Sequence, residues 1–278
     1  MSIIEKIIAG KWIAGPKVED AIARAAKLNE LGEGAIVNYL GEEFTDMQQV
    51  ADALSHYKDL VARIKSKRVH ADISLKITQL GLRISYATAL KNYHAIASAA
   101  RRAGIFVWLD MESSDTLEAT IKAYGSELRL GGVGICLQAY LKRTESDMKK
   151  LVKKGAVIRL VKGAYKEPAS TAFQTRQEIS ENYEKLMRYL FKNAEQFTIA
   201  THDDKLVEEA RVLNRSYQRR VTFAFLNGIR SNYAKAIADS GEQVSIYVPF
   251  GSKWIAYAYR RMREQGHASL ILRSLLGG

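Results

Sequence analysis

Apolar runs and helical patterns alternate eight times along the chain from Gly34 onward. The apolar runs have the length and β-branched content of buried strands, and the stretches between them have helical periodicity. The predicted strands are Ala35–Tyr39, Asp72–Ile77, Phe106–Met111, Gly134–Gln138, Ala156–Val161, Phe197–Ala200, Val221–Leu226 and Val244–Val248. Such alternation is typical of parallel strands with crossover helices, so eight units predict an α/β fold, a closed (β/α)8 barrel of the TIM type.

An open, doubly wound sheet is the alternative to this barrel. Its usual G-x-G-x-x-G motif does not follow the first predicted strand. No linker or low-complexity stretch divides the chain. We therefore expect two parts, an N-terminal helical arm over residues 1–32 and a barrel over residues 33–278.

Two helices are predicted in the N-terminal arm, over residues 2–14 and Val18–Leu31. An apolar stripe runs along the first of them and consists of Ile3, Ile4, Ile7, Ile8 and Trp12. An amphipathic helix of this kind caps the bottom of a barrel, docks on a sister subunit or lies on a membrane surface. The sequence leaves these three roles open.

Composition narrows the class of protein. The chain has 278 residues, of which 47% are hydrophobic, so it can bury a large core. The net charge is +12, but the lysines and arginines are scattered and no zinc-finger or RNP-type motif is present, so nucleic acid is not an expected partner. The single cysteine, Cys136, excludes an internal disulfide and a cysteine metal cage, and no metal site is expected.

The chain has no apolar run near the roughly 18 residues of a spanning helix, and its N-terminus lacks a signal-peptide pattern. A lone cysteine fits a reducing compartment. We therefore expect a cytoplasmic protein, either free or peripheral on the inner face of the membrane.

The segment GAVIRLVKGAY, residues 155–165, carries an arginine inside a predicted strand. Alternation along the strand puts Arg159 where a core side chain should lie. A buried guanidinium costs several kcal/mol unless an anion or several acceptors meet it. Arg159 therefore needs either an internal carboxylate or a polar ligand. The small residues Gly163 and Ala164 would let a flat ligand approach the backbone.

Polar side chains stand at or near the ends of six of the eight predicted strands. In a barrel these ends meet at one mouth, where active sites lie. A single polar residue at a strand end commonly caps the next helix, but six populated ends together indicate a site. The residues are Lys76, Thr78, Gln79, Asp110, Glu112, Gln138, Arg159, Lys162, Thr201, His202 and Tyr247.

The last predicted helix adds charge near the same mouth, within AYAYRRMREQ at residues 256–265. Helical spacing puts Glu264 four residues after Arg260, so the carboxylate can hold that guanidinium, and Tyr257 shares a face with Arg260 and Arg261. A solvated basic face is the alternative. Such a face would not need the apolar and aromatic residues that accompany these charges.

Five segments of the chain resemble the motif series of the proline dehydrogenase family, and they occur in the same order. They are SLKITQLGL, QAYLKR, RLVKGAY, ATHD, and YVPFG followed by YAYRRMRE, and they span about Asp72 to Glu264. The resemblance implies a distorted (β/α)8 barrel, with residues 33–278 as the catalytic domain. It implies oxidation of L-proline to 1-pyrroline-5-carboxylate by hydride transfer to FAD, rather than FMN, with a quinone as the next acceptor.

The resemblance also implies roles for individual residues. Flavin contacts are implied for Gln138, Arg159, Val161, Lys162, Gly163, Ala164, Thr201 and His202. Catalytic roles are implied for Lys76, Asp110, Arg159, Tyr165 and Tyr247. Substrate contacts are implied for Lys76, Tyr257, Arg260, Arg261 and Glu264, with the two arginines clamping the carboxylate and Glu264 holding the clamp.

General chemistry agrees with these roles. A flavin carries out hydride chemistry itself, so the protein must supply a cradle, a positive charge and a fixed substrate pose. Arg159 can supply the charge. Two adjacent arginine forks suit a small carboxylate, because a guanidinium binds it bidentately.

Four positions depart from the family pattern. Ala224 stands in a strand-seven motif that is about two residues short and lacks the usual glutamate and glutamine. Asp203 replaces an asparagine, Ser245 an arginine and Lys166 an aromatic residue. The first three are expected to affect adenosine contacts, pocket support or activity, and Lys166 to open one edge of the flavin.

These observations predict a proline dehydrogenase whose partners are L-proline, a quinone and, through its isoleucine stripe or the C-terminal LILRSLL, a membrane surface. A homo-oligomer is compatible with the same stripe. Two alternatives are a barrel of the same family that oxidises another cyclic or secondary amine, and a catalytically silent binding barrel.

Arg261→Met tests the carboxylate clamp. Removing one partner of a desolvated, hydrogen-bonded charge pair costs about 2 to 5 kcal/mol, so kcat/KM for L-proline should fall roughly thirty-fold to several thousand-fold. Arg261→Lys should restore little, because a point charge does not reproduce the fork. Steady-state kinetics measure both variants, with flavin absorbance per mole of protein as control. Efficiency within about threefold of wild type contradicts the clamp.

Overall fold

Eight parallel strands close into a barrel in chain order, with β8 returning to β1, in the computed structural model, which describes residues 12–254 and residue 257. The strands are β1 Gly34–Tyr39, β2 Ala71–Lys76, β3 Val107–Asp110, β4 Val133–Gln138, β5 Val157–Val161, β6 Gln196–Ala200, β7 Arg220–Leu226 and β8 Gln243–Phe250. Each predicted strand overlaps its observed counterpart. The closed (β/α)8 barrel is therefore confirmed, and the open sheet is wrong.

Eight α-helices in the described ranges precede or connect these strands. They are α1 Val18–Glu30, α2 Met47–Lys67, α3 Tyr86–Ala103, α4 Leu117–Glu127, α5 Thr144–Val152, α6 Arg176–Asn193, α7 Asp204–Tyr217 and α8 Ser231–Asp239. Side chains begin several of them: Asp46 accepts the N–H of Gln48, and Thr175 with Glu178 forms a capping box. These caps satisfy backbone donors that a helix leaves without partners. The second predicted helix is confirmed as α1.

The barrel closes through a continuous register between its first and last strands. Residues of β1 pair with residues of β8 from Gly34 with Ser245 to Tyr39 with Phe250. Each of the eight strands consequently has two bonded neighbours. All the carboxyl ends point to one mouth, which places the predicted polar strand ends together.

The main hydrophobic core lies between the strands and the helices around them. Ala21, Ala25 and Leu28 of α1 belong to the same buried cluster as residues of β1 and β2. Residues 18–30 therefore pack on the barrel wall. The division into an arm, residues 1–32, and a barrel, residues 33–278, remains a prediction.

A second, smaller hydrophobic cluster joins the first described residues of the chain to the loops that follow the strands. Trp12 and Ile13, 1% and 5% exposed, pack with Leu40, Ile229 and Tyr257. The isoleucines of the predicted first helix lie outside the described residues, but Trp12, the last member of their stripe, is a packing residue. None of the helices in the described ranges is long and apolar enough to cross a membrane.

Inside the barrel, one tryptophan fills the space beneath the mouth. A Cβ on Gly134 of β4 would lie 2.5 Å from the ring of Trp108 on β3, so the glycine makes room for this ring. Trp108 packs with Ile36 and Ala224 and donates from Nε1 to Asp72 at 3.0 Å. This floor of aromatic and aliphatic groups supports the polar side chains above it.

Candidate active site

A buried ion pair crosses the interior of the barrel. Arg159 of β5 donates from Nη2 to Oδ1 of Asp110, the last residue of β3, and at 3.0 Å to Oγ of Ser74 on β2. Ser74 donates to the same carboxylate oxygen at 2.8 Å. Since β5 neighbours neither β2 nor β3 in the sheet, the arginine side chain must traverse the interior to reach them. Arg159 and Asp110 are 3% and 8% exposed.

Aromatic rings complete this arrangement. The Cζ atom of Arg159 lies 5.0 Å from the ring centroid of Trp108 and 5.5 Å from that of Tyr247, and such π faces attract a cation. The Tyr247 hydroxyl donates to Oδ2 of Asp110 at 2.9 Å. We refer to Ser74, Asp110, Arg159 and Tyr247 as the interior cluster.

Burial and charge oppose each other at Arg159. Burial, the largest single effect, lowers the pKa of its guanidinium, but Asp110, Cys136 and Tyr247 together raise that pKa more, and the net shift is upward. Burial and the negative charge of Asp110 also raise the pKa of Tyr247 well above its ordinary value. The interior cluster thus holds a permanent cation beside a neutral hydroxyl.

The sequence predicted that Arg159 needs either an internal carboxylate or a polar ligand. Asp110 is the internal carboxylate. Nη1 of Arg159, however, is buried without a hydrogen-bond partner among the described residues. A buried donor without a partner costs free energy. One branch of the fork is therefore held by protein, and the other is able to bind a polar ligand.

A second group of side chains meets at the end of β2. Lys76 donates from Nζ to Oε2 of Glu42 at 2.6 Å, and the Tyr165 hydroxyl donates to the same oxygen at 3.0 Å. These three residues, the mouth cluster, come from the end of β2 and from the loops after β1 and β5. Lys76 is 8% exposed and pairs in register with Asp110, so the mouth cluster adjoins the interior cluster.

On the other side of the mouth, the loops after β5 and β6 are joined by an ion pair. Lys162 donates from Nζ to Oδ2 of Asp203 at 2.7 Å and to Oγ of Ser180 at 3.0 Å. Burial raises the pKa of Asp203, but the hydrogen bond and charge of Lys162, together with the backbone N–H groups of Leu206 and Lys205, lower it more, so the net shift is downward. Thr201 accepts the N–H of Asp203 at 3.2 Å, and His202 accepts a backbone N–H of β7 at 3.2 Å.

Two further predicted residues have clear packing roles. Gln138, 2% exposed, donates from Nε2 to the backbone carbonyls of Met111 at 3.2 Å and Glu112 at 2.7 Å, which ties β4 to β3. Gly163 has a φ of 122°, and a Cβ there would lie 2.2 Å from the Tyr140 ring. Both the turn and this contact require a glycine.

The structure therefore brings the predicted residues together in two sectors. One sector contains Lys76, Asp110, Tyr165 and Tyr247, and the other contains Gln138, Arg159, Val161, Lys162, Gly163, Ala164, Thr201 and His202. The side chain of Arg159 reaches from the second sector to Asp110 of the first. Tyr257 is 6% exposed and belongs to the cluster with Trp12. Arg260, Arg261 and Glu264 lie outside the described residues. That these residues bind a substrate or cofactor remains a prediction.

Two residues of these clusters were missed by sequence reasoning. Ser74 stands between Asp72 and Lys76, and three polar residues alternating on one face of a strand were an available signal. Glu42 lies three residues beyond β1, too far from the strand end to be collected with the others. Its identification requires the loop geometry.

A protein-family model described as proline dehydrogenase matches residues 21–274. The chain belongs to the proline dehydrogenase family. Proline dehydrogenase 1 of Bacillus subtilis (strain 168) is 30% identical over 273 residues, 96% of this chain and 90% of the relative. Proline dehydrogenase of Deinococcus radiodurans is 28% identical over 281 residues, 98% of this chain and 91% of the relative. The family resemblance of the motifs is confirmed.

Solved structures of proline utilization A (PutA) share the fold. The Bdellovibrio bacteriovorus protein, inactivated by N-propargylglycine, matches with a TM-score of 0.89 at 22% identity over 99% of this chain. The Bradyrhizobium japonicum mutant D778Y matches with a TM-score of 0.81 at 19% identity over 96%. The chain spans 34% and 32% of these longer proteins.

Three of the four positions that were expected to depart from the pattern of the proline dehydrogenase family have defined surroundings in the structure. Asp203 supplies Lys162 with a carboxylate and accepts the N–H of Lys205 at the start of α7. Ala224, 5% exposed, packs on Trp108. Lys166 is exposed. Strand β7, whose motif was expected to be short, pairs with both β6 and β8.

Asp110→Asn should destabilise the barrel, because Arg159 would keep a buried charge without a carboxylate. Breaking a buried pair from one side costs about 3–5 kcal/mol, so the free energy of unfolding should fall by about that amount. Adding Arg159→Met should recover part of the loss, because no buried charge then remains. Urea denaturation followed by circular dichroism measures the single and double variants.

Glu118→Gln is the matched control for this prediction. Glu118 pairs with Arg143 at 2.6 Å, but its side chain is 76% exposed. Loss of an exposed pair costs about 1 kcal/mol or less. Equal, small effects of Asp110→Asn and Glu118→Gln would mean that Asp110 does not hold Arg159 in the interior.

Proposed function

We propose that this protein oxidises L-proline to 1-pyrroline-5-carboxylate, with FAD as hydride acceptor and a quinone as the acceptor that follows. The observation that carries the proposal is the buried guanidinium of Arg159, whose Nη2 is held by Asp110 and whose Nη1 has no partner among the described residues. Family membership and the two sectors of the mouth support the same conclusion.

The residues at the mouth fit a flavin. Nη1 of Arg159 is a buried donor able to bind a heteroatom of a cofactor, and Val161 to Ala164 are half-buried at the carboxyl end of β5. Gln138, Thr201 and His202 surround the same strand ends. A bound flavin accepts a hydride, and a nearby positive charge stabilises the reduced form. These residues would hold the flavin in the sector formed by β4, β5 and β6.

The opposite sector would hold the substrate. Lys76 and Glu42 form an ion pair at 2.6 Å, and Tyr165 donates to the same carboxylate, so this part of the mouth is fixed before a ligand arrives. Tyr247 is locked by Asp110 at 2.9 Å. Fixed aromatic rings exclude water from the aliphatic part of a small substrate, which favours a single pose. Arg260 and Arg261 would bind the substrate carboxylate.

The interior cluster would couple the two sectors. Asp110 contacts Tyr247 on the substrate side and Arg159 on the cofactor side through its two oxygens. Its charge keeps the guanidinium in place and orients the tyrosine ring. The relative placement of substrate and cofactor would therefore depend on one carboxylate.

The decisive experiment is anaerobic addition of L-proline to the purified protein while its visible spectrum is recorded. The protein should be yellow, and the flavin absorbance should bleach. Mass spectrometry of the released cofactor identifies FAD or FMN. If dithionite bleaches the absorbance but proline does not, the protein binds a flavin and proline is not its substrate. That result favours another cyclic or secondary amine. A colourless protein that takes up no flavin favours the silent barrel.

The quinone proposal includes contact with a lipid surface through the isoleucine stripe. Deletion of residues 1–11 removes four isoleucines and two lysines but keeps Trp12 and Ile13, which are buried on the barrel. Each lysine near an anionic surface contributes about 1 kcal/mol, so the deletion should weaken binding to anionic liposomes at least about tenfold. Flavin reduction by proline should persist.

Liposome sedimentation measures this binding, with neutral vesicles as control for the charge contribution. If the protein that retains residues 1–11 does not sediment with anionic vesicles, the lipid contact is refuted and the stripe serves packing. The proline oxidation proposal is unaffected by that result.

A further inference from the structure

Glu112 is a buried carboxylate that the proposed reaction leaves without a role. It follows β3 two residues after Asp110 and is 1% exposed. Among the described residues it forms no ion pair, since Nζ of its neighbour Lys76 bonds to Glu42 instead. Burying a carboxylate in this way is costly. Its hydrogen bonds therefore need an explanation.

Both oxygens of Glu112 accept from one residue. The Thr78 hydroxyl donates to Oε1 at 2.5 Å, and the Thr78 N–H donates to Oε2 at 3.1 Å. Thr78 lies in the 3-10 turn Ile77–Leu80, two residues after Lys76. Glu112 thus holds the turn that ends β2.

Thr78 passes this restraint to the loop after β1. Its hydroxyl oxygen accepts the N–H of Glu43 at 2.9 Å, and its backbone carbonyl accepts the N–H of Phe44 at 3.3 Å. The residue before Glu43 is Glu42, whose carboxylate receives Lys76 and Tyr165. The hydrogen bonds that start at Glu112 therefore reach the turn after Lys76 and the loop that carries Glu42, the two partners of the ion pair in the mouth cluster.

Glu112 is itself fixed from the other direction. Its backbone carbonyl accepts from Nε2 of Gln138 at 2.7 Å, which anchors it to the end of β4. Glu112 therefore links the end of β4 to the loops after β1 and β2.

We propose that Glu112 is a positioning residue for the substrate sector: through Thr78 it fixes Glu42 and Lys76 where the substrate binds. This rests on the proposed oxidation of proline. An ionised Glu112 accepts the two Thr78 hydrogens with two strong acceptor oxygens. Protonation weakens one of these oxygens as an acceptor, so positioning is tightest in the ionised state.

The ionisation state of Glu112 changes near neutral pH. Burial raises its pKa to about 7, against the lowering effect of Lys76 and Thr78, and with Glu42 adding to the rise. Tyr57 of α2 also faces it electrostatically. Because the folded pKa lies above the ordinary value of 4.5, the native state is favoured by protonation, and this stability is lost as pH rises through about 7. Tight positioning thus appears in the pH range where Glu112 costs stability.

Glu112→Gln has the shape of the protonated residue and cannot ionise. At pH 8 its kcat/KM for L-proline should be about tenfold or more below wild type, because small misplacements of binding groups reduce rates strongly. The difference should shrink as pH falls below about 7, where wild-type Glu112 is itself protonated. Thr78→Val, which removes the hydroxyl link, should match the loss at pH 8.

Two matched controls test whether any buried polar change has this effect. Glu127→Gln alters a carboxylate that is 3% exposed and bonded to Arg101, away from the mouth. Thr120→Val alters a fully buried threonine whose hydroxyl donates to the carbonyl of Thr116. Both should keep the wild-type pH profile of kcat/KM.

Amide hydrogen exchange of the protein without substrate gives a readout that is independent of turnover. At pH 8, peptides covering residues 42–44 should exchange faster in Glu112→Gln and Thr78→Val than in wild type. In the two control variants, their exchange rate should equal that of wild type. Wild-type kcat/KM and pH profile in Glu112→Gln, or unchanged exchange in both variants, overturns the proposal.

The remaining outcomes are also decisive. If Glu112→Gln does not fold, Thr78→Val and the pH dependence of exchange in the wild-type protein decide the matter in the same way. If the wild-type protein does not oxidise proline, the proposed function fails, and the exchange of residues 42–44 still reports whether Glu112 holds this loop.

Discussion

The guanidinium of Arg159 is stable inside the barrel because Asp110, Ser74 and two aromatic rings surround it. Removing a charge from water is expensive, and the expense is offset only by partners with good geometry. A closed barrel supplies them, since it places side chains of β2, β3 and β8 opposite β5. The position of Tyr247, and through register that of Lys76, follows from the same carboxylate.

The lysines beside this cluster are already neutralised by the protein. Lys76 is paired with Glu42 at 2.6 Å and Lys162 with Asp203 at 2.7 Å. A substrate carboxylate would therefore have to compete with built-in anions for either lysine. Within the proposed function, this gives Arg260 and Arg261 of the last predicted helix the main part in binding the anion, and leaves the lysines to organise loops.

The barrel was predictable from the sequence because its signal is repeated. Eight apolar runs with helical spacers admit few folds, and small errors at one end, such as placing Ile77 in β2 rather than in a 3-10 turn, do not alter the topology. The strand-end residues were equally accessible, because topology alone brings them to one mouth. Which side chains bond to which was not, since Arg159 reaches Ser74 across 85 positions of sequence. Glu42 and the packing of Tyr140 on Gly163 also depend on loop conformations that no periodicity encodes.

Barrel closure has a consequence for the order of folding. β1 finds its second neighbour only in β8, near the end of the described chain, and Ala14 donates its N–H to the carbonyl of Pro249. Pairing between distant segments is slow, because the entropy of closing the loop is lost before the contacts form. During synthesis, β1 would expose an unpaired edge until β8 emerges, and such edges promote association between chains. The charge at Arg159 would also lack Tyr247 until then, so the ring and its polar centre are completed in the same late step.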